Sequence, residues 1–519
     1  MLRAPEEAGR SSPPSGRRLA RPLFLTLTAF YLLGSSGRID TPDGVLMFRV
    51  TQSLVERRAA AVEPLAGAGT WGGLVVPDRR GGAARFYPKY GLGLPLAAIP
   101  CYAAGRWLAP LARRGEADLF DAERGRRRLW YDVGPDNFRE AFGAFAASWT
   151  NAAVVAATLA VVFLIGLELG FGSGGSLAAA LAGAFATPLW AYSRTFFAEP
   201  LGGLGLAAFF YFALRGRRED RHASFLAAGA SLGVAILAKP AHLVLLLPAA
   251  ILLGGGARGL EWRRAAGRAG ACLAGLSLAL AAMLIYNQAR FGSFLETGYG
   301  AEARQWTTPF WSGTAGLLLS PGRGMLFYFP LALLVALAFR RFAAAFPLEA
   351  AFIAACPLAL LVTYARWSRW EGGWCWGPRF LLPAIPVLLP PLAGLFESFP
   401  GSRAGRAGVL AVLALAMLVS IAGVLIDVNA FHGWLHETYE SRRTAFEAAG
   451  FGTSTELYRW SWAYSPLRRG WRFASPENFL LTQSLRKPGI VTAWFGIWAA
   501  VFVGQGRRLL RPGGSRRGS

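Results

Sequence analysis

Charge is scarce in this chain. Only 16% of its 519 residues are charged, and acidic side chains are the scarcer kind, 30 against 54 basic, for a net charge of +24. A nucleic-acid binder or a basic disordered protein needs a far more polar chain. A large soluble enzyme does not repeat uncharged stretches as long as a bilayer is thick. Cysteine is also sparse: Cys101, Cys272, Cys356 and Cys375 stand without CxxC spacing, three of them in apolar stretches. No disulfide framework or zinc site follows, and small buried hydrophobes fit best. HExxH is absent. His432 and His436, four apart beside Glu437, have no third ligand in register and read as a surface helix. Gly170-Phe171-Gly172-Ser173-Gly174-Gly175 fits GxGxxG but follows no strand, so it reads as a flexible cytoplasmic turn.

What is abundant is apolar: 54% of residues, with a mean hydropathy of +0.36. The fold class expected is an all-α polytopic membrane protein with about 12 transmembrane helices, counted at the ~20-residue length that crosses a bilayer. The spans read as Pro22–Ser36, Phe142–Leu167, Ser176–Tyr192, Leu201–Leu214, Ala223–Ala238, Ala241–Leu253, Ala269–Tyr286, Met325–Phe339, Ala350–Tyr364, Phe380–Phe396, Gly408–Ile426 and Gly489–Val503. The first resembles a signal peptide, with Arg17, Arg18 and Arg21 before it and Gly34, Ser35 and Ser36 closing it. It is read as an uncleaved anchor, because the residues just after it look the most functional in the chain.

Arginines give the orientation. Clusters at Arg17/Arg18/Arg21, Arg215/Arg217/Arg218/Arg221, Arg258/Arg263/Arg264/Arg268, Arg340/Arg341, Arg403/Arg406 and Arg507/Arg508/Arg511 all fall on one side of such a bundle. By the positive-inside rule that side is the cytoplasm, with both termini inside a plasma (inner) membrane. Two long loops then lie outside, at about 37–141 and 427–488. The chain thus divides into a transmembrane region over 1–426, the outer loop 427–488, and a last helix with basic tail over 489–519. The first loop is basic (Arg113, Arg114, Arg124, Arg126, Arg127, Arg128), which long loops tolerate. Tyr90–Leu108 reads as an interfacial helix, since a thirteenth span there would put every later arginine cluster outside.

The chemistry-bearing residues gather outside. Arg38-Ile39-Asp40-Thr41-Pro42-Asp43-Gly44 leads into a helix over Val45–Arg57. Its acidic groups either cap that helix or hold a carboxylate at the membrane surface as a general base or cation ligand. Asp43 is the better placed and Asp40 the alternative. Phe86-Tyr87-Pro88-Lys89-Tyr90 offers an ammonium that either snorkels or meets a lipid-linked phosphate. Arg194 and Glu199 precede Pro200 at the end of the third span, either as a pair closing a hairpin or as functional groups, and Lys239 tops a short outer turn. Arg366-Trp367-Ser368-Arg369-Trp370-Glu371-Gly372-Gly373-Trp374-Cys375-Trp376-Gly377-Pro378-Arg379-Phe380 reads as an aromatic belt or as a sugar or phosphate platform.

In this order the features resemble the GT-C superfamily of membrane glycosyltransferases, which includes protein O-mannosyltransferases and the lipid A aminoarabinose transferase. The match rests on Asp43 or Asp40 beyond the first helix, Pro88-Lys89-Tyr90 through Pro95-Leu96, Glu199 in the second outer loop, and Lys239. It also includes Leu319-Ser320-Pro321-Gly322-Arg323-Gly324-Met325-Leu326-Phe327-Tyr328 and Gly372-Gly373-Trp374 through Arg379-Phe380. The usual adjacent Asp-Glu pair is replaced by Asp40-Thr41-Pro42-Asp43, and the usual Lys/His-Pro-Pro-Leu by Pro-Lys-Tyr-Gly. The resemblance implies a glycosyltransferase using a polyprenyl-phosphate sugar among membrane lipids, with no nucleic acid. Asp43 or Asp40, with Glu199, would be catalytic. Lys89, Lys239 and Arg379 would hold the donor phosphate, and Arg194, Trp374, Trp376 and Glu371 the sugar or acceptor. No cofactor is assigned, and a divalent metal is left open. The competing class is a lipid or solute transporter, against which stand the large outer loops and the absence of an inverted repeat.

Overall fold

The computed structural model describes residues 14–39, 41–63, 72–77, 82–112, 138–255, 261–486 and 488–510. Asp40 and the arginine run at 113–128 lie outside them. The elements that position the site are, in order, α1 (Ala20–Leu33), α2 (Pro42–Glu56), β1 (Gly73–Val76), β2 (Arg85–Pro88), α3 (Gly93–Leu108), α4 (Arg139–Glu168) and α5 (Ser173–Phe185). Then come α6 (Glu199–Glu219), α7 (His222–Ala238), α8 (Leu246–Gly254), α9 (Glu261–Phe291), α10 (Phe310–Leu319), α11 (Ala332–Ala345), α12 (Pro347–Ala365), α13 (Arg403–Leu425), α14 (Val428–Ser441) and α15 (Ile490–Leu510).

Four of these, α4, α9, α12 and α13, are long and apolar enough to cross a membrane, or five if the bent pair Arg379–Leu388 and Pro391–Glu397 counts as one span. Shorter apolar helices of 10–17 residues make up much of the remaining bundle. Several expected spans are broken where proline removes a backbone donor. Met325–Phe339 splits into Met325–Tyr328 and α11 around Pro330, and Phe380–Phe396 bends by 48° near Pro390. Ala241–Leu253 begins as a 3-10 turn, Pro240–Leu245.

The two ends of the bundle differ. At one end the buried carboxylate of Glu168, at the foot of α4, takes Arg17 at 2.5 Å and Arg218 at 3.0 Å. Arg268 lies 3.9 Å from Asp220, and Arg217 donates to the Leu252 carbonyl at 3.1 Å. A small cavity there is lined by Phe171, Arg341 and Pro400. Toward the other end Asn151, in the middle of α4, donates to the carbonyls of Thr195 and Phe197, both at 2.8 Å. Helix α6 runs from one end to the other, with Glu199 in its first turn and Arg217 and Arg218 in its last. Its 21 residues span roughly 30 Å at 1.5 Å per residue.

Packing depends on close backbone approach. Along the α7–α9 contact, a Cβ at Gly229 would sit 1.8 Å from the Cys272 carbonyl oxygen, so only glycine fits. Helix α3 packs on α2 and α4, with Thr51 of α2 donating to the Pro95 carbonyl at 3.1 Å. It presents Leu96 and Trp107 outward and is not among the apolar candidate spans. The β1–β2 hairpin, absent from the sequence reading, ends at Pro88 and delivers Lys89, whose N–H donates to Gly72 at 3.1 Å.

Candidate active site

The acidic turn does not cap its helix with an aspartate. Helix α2 starts at Pro42, earlier than expected, and its cap is Thr41, whose hydroxyl accepts from the Gly44 N–H at 3.3 Å. The Asp43 carboxylate is thereby left for other partners. Its Oδ1 accepts from the Tyr90 hydroxyl and its Oδ2 from Arg379 Nη1, each at 2.7 Å.

Glu199 is completely buried in the first turn of α6. Its Oε1 lies 2.9 Å from Lys239 Nζ and 3.0 Å from Arg379 Nε, while Oε2 has no hydrogen-bond partner. Lys239 is held there because Pro240 ends α7 at Ala238. Its ammonium stands 4.0 Å from the centre of the Phe380 ring. Arg379 follows Gly377, whose φ of +64° suits glycine, and its guanidinium stacks 3.8 Å over Phe197. Lys89 pairs with Glu302 and sits 5.1 Å from the Tyr299 ring.

Asp43, Glu199, Lys89, Lys239 and Arg379, far apart in sequence, therefore line one cavity of about 420 Å³. Its wall also carries Tyr90, Tyr299, Glu302, Trp367 and Arg369. The described lining groups include four cations, Lys89, Lys239, Arg369 and Arg379, and three carboxylates, Asp43, Glu199 and Glu302. Burial pushes the Asp43 carboxyl up. The Arg379 charge, the hydrogen bonds from Tyr90 and Arg379, and the Lys89 charge together overcome that and hold it below its ordinary value. Asp43 is thus an anion at neutral pH, half-buried and bordering open space.

The other expected residues lie elsewhere. Arg194, Trp374 and Trp376 line a second cavity of about 100 Å³. Arg194 does not pair with Glu199: its guanidinium donates to the carbonyls of Val424 and, at 2.6 Å, Asn478. Glu371 is buried against Arg459 and lines neither cavity. Trp367, Trp370 and Trp376 are buried, so this run is core and cavity wall rather than a belt facing lipid. His432 is buried as well, correcting the surface-helix reading. It stacks on Trp374 at 5.3 Å, and its Nε2 accepts from Arg323 at 3.1 Å. Burial and the Arg323 charge hold that imidazole well below its ordinary pKa, hence neutral. Among the described residues no three His, Cys, Asp or Glu side chains form a metal-holding group.

Sequence reasoning missed Tyr90, Tyr299 and Glu302 as cavity residues and gave Arg323 no role. Fully buried Arg323 donates to the carbonyls of Cys375 at 2.6 Å and Gly373 at 2.7 Å. It pins the loop whose Gly372 carbonyl in turn accepts from Arg379 at 3.2 Å. The Ser320-Pro321-Gly322-Arg323-Gly324 run was the available signal.

No protein-family model and no curated protein matches the chain. Among solved structures it is similar to ArnT from Cupriavidus metallidurans bound to undecaprenyl phosphate, at 14% identity and a TM-score of 0.49, over 80% of this chain and 72% of that one. It is also similar to the oligosaccharyltransferase AglB from Archaeoglobus fulgidus, crystallised with an inhibitory peptide and a dolichol-phosphate. There the identity is 11% and the TM-score 0.45, over 87% of this chain and 60% of that one. At these scores the likeness is distant.

Proposed function

We propose that the chain is a membrane glycosyltransferase that moves a sugar from a polyprenyl-phosphate donor to a hydroxyl acceptor at the outer face of the membrane. The observation that carries this reading is Arg379, which joins Asp43 and Glu199 inside a cavity that also holds Lys89, Lys239 and Arg369. A carboxylate bordering open space beside several cations suits a reaction in which a hydroxyl loses a proton while a phosphate departs. The cavity lies at the end of the bundle opposite Arg17, Arg218 and Arg268, which the positive-inside rule makes the outer face. Nucleotide sugars are not available there, whereas a lipid-linked donor diffuses to it.

In the proposed step the acceptor oxygen bonds to the anomeric carbon as the bond from that carbon to the donor phosphate oxygen breaks. The hydroxyl proton passes to Asp43, and the electron pair leaves with the polyprenyl phosphate. Lys239, Arg379 and Lys89 stabilise the charge gained by that phosphate. Glu199, with one oxygen on Lys239 and Arg379, fixes both cations. Lys89 meets the phosphate by giving up Glu302, an exchange that keeps the buried charge balanced. The test is purified protein in liposomes supplied with radiolabelled polyprenyl-phosphate sugars. Release of polyprenyl phosphate, coupled to label in an acceptor, supports the proposal. Passage of intact donor across the bilayer without release contradicts it.

A further inference from the structure

The basic end of the bundle holds a cavity of its own. It measures about 330 Å³ and lies between the first turns of α7 and α9. His222 and Phe225 line it from α7, and Arg263, Arg264, Gly267 and Arg268 from α9. The space depends on Gly267: a Cβ there would come within 3.1 Å of His222 Cε1, so a larger side chain would enter the cavity.

Its three guanidinium groups are held differently. Arg268 lies 5.8 Å from the centre of the Phe225 ring and 3.9 Å from Asp220. Asp220 is 74% exposed, so water screens its hold on that arginine. Arg263 and Arg264 are exposed, and among the described residues neither forms an ion pair. Helix α7 starts at His222 with no side-chain cap, which sets the positive end of its dipole beside the same space. These charges suit a phosphate.

The rest of α9 points to a phosphate carried by a lipid. Leu278 and Ile285 lie 11 and 18 residues beyond Gly267, about three and five turns, so they share its side of the helix. They are 79% and 64% exposed, and with the exposed Ala274 and Ala281 they form an apolar strip running up from the cavity. Exposed Trp262, beside Arg263 at the foot of that strip, suits headgroup depth. We propose that this cavity binds the phosphate of an anionic phospholipid whose acyl chains lie along the exposed strip of α9. Basic pockets between membrane helices hold such headgroups. A zwitterionic lipid fits less well, because its ammonium meets the same guanidinium groups. Helix α7 sets the site roughly 25 Å from the carboxylate cavity, since its 17 residues end one before Lys239.

Delipidated full-length protein in detergent is titrated with phosphatidylglycerol and, separately, with phosphatidylcholine of the same acyl chains, and bound lipid is counted by native mass spectrometry. Phosphatidylglycerol should bind about ten-fold or more tightly than phosphatidylcholine. The double variant Arg263→Gln/Arg264→Gln should weaken phosphatidylglycerol about ten- to hundred-fold and leave phosphatidylcholine unchanged. Gly267→Leu, which fills the space and keeps every charge, should also weaken it. Arg340→Gln/Arg341→Gln alters exposed arginines of the same end that do not line this cavity, and should change nothing. Both glutamine pairs replace exposed side chains, so the thermal midpoint should hold and report intact folding. Equal binding of the two lipids, wild-type binding in Arg263→Gln/Arg264→Gln, or an equal loss in Arg340→Gln/Arg341→Gln would overturn the inference. So would displacement of the lipid by inorganic phosphate at matching concentration, which would make this a site for free phosphate.

Discussion

Asp43→Asn keeps the shape of the side chain and leaves the Thr41 cap intact, so the fold should survive it. If Asp43 takes the acceptor proton, turnover should drop by about two to four orders of magnitude in a liposome transfer assay. Because Arg379, Tyr90 and Lys89 hold this carboxyl below its ordinary value of 3.8, it stays ionised until the medium is more acidic than that. The stabilisation it draws from them is present above the unfolded pKa and is lost as pH falls through the folded one. The acid limb of kcat/KM should accordingly lie below the usual carboxylate range. Tyr90→Phe removes one hydrogen bond that favours the anion and should move that limb upward; a limb that does not move in Tyr90→Phe contradicts the assignment. Arg379→Lys keeps a charge but loses the planar fork that touches Asp43, Glu199 and Gly372 together. Donor use should fall about ten- to hundred-fold, with acceptor dependence nearly unchanged, as read from initial rates. Asp43, Glu199, Lys89, Lys239 and Arg379 were legible because ionisable groups beside apolar segments stand out. Tyr90 and Tyr299 were not, since a tyrosine near a membrane helix has many ordinary reasons to be there. Nor could sequence tell that Arg379 and Trp376, three residues apart, serve opposite faces of one loop.

At the level of elements, Arg323 does what no local pattern announces. It ties Ser320–Gly324 to the glycine loop, and that loop to α14 through His432. Replacing it with methionine leaves several buried carbonyls without a donor and should cost on the order of 2–5 kcal/mol, seen as a lower thermal midpoint in detergent. Gly229→Ala forces a Cβ against the Cys272 carbonyl, so α7 and α9 must separate. A loss of about 1–3 kcal/mol is expected from the same measurement, and an unchanged midpoint would contradict the close contact. The apolar helices were visible as uncharged runs, but their breaks were placed poorly. Proline inside such a run is compatible with a continuous helix or a broken one, and the neighbours that satisfy the freed carbonyls decide which. The β1–β2 hairpin was invisible because its strands are four residues each and part of the chain between them carries no apolar alternation. Helix α10 was overlooked because ten residues fall short of a span.

For the whole molecule, the asymmetry between a basic end and an end bearing the carboxylate cavity gives the topology its test. Single cysteines placed beside Arg217, Arg264 and Arg403 should react with impermeant reagents only from the cytoplasm, and labelling of any of them from outside would break the orientation. The helical class and the arginine asymmetry could be read from composition and spacing, since both are properties of long stretches. The separation of two cavities could not, because it depends on which residues α2 and the 372–379 loop turn to each side. The most direct measurement is release of polyprenyl phosphate from a radiolabelled polyprenyl-phosphate sugar in sealed liposomes, compared between wild type and Asp43→Asn at equal incorporation. The account predicts release by the wild type, coupled to label in an acceptor, and near-complete loss in Asp43→Asn. Equal release by both proteins, or none from the wild type with any polyprenyl-phosphate sugar, would contradict it.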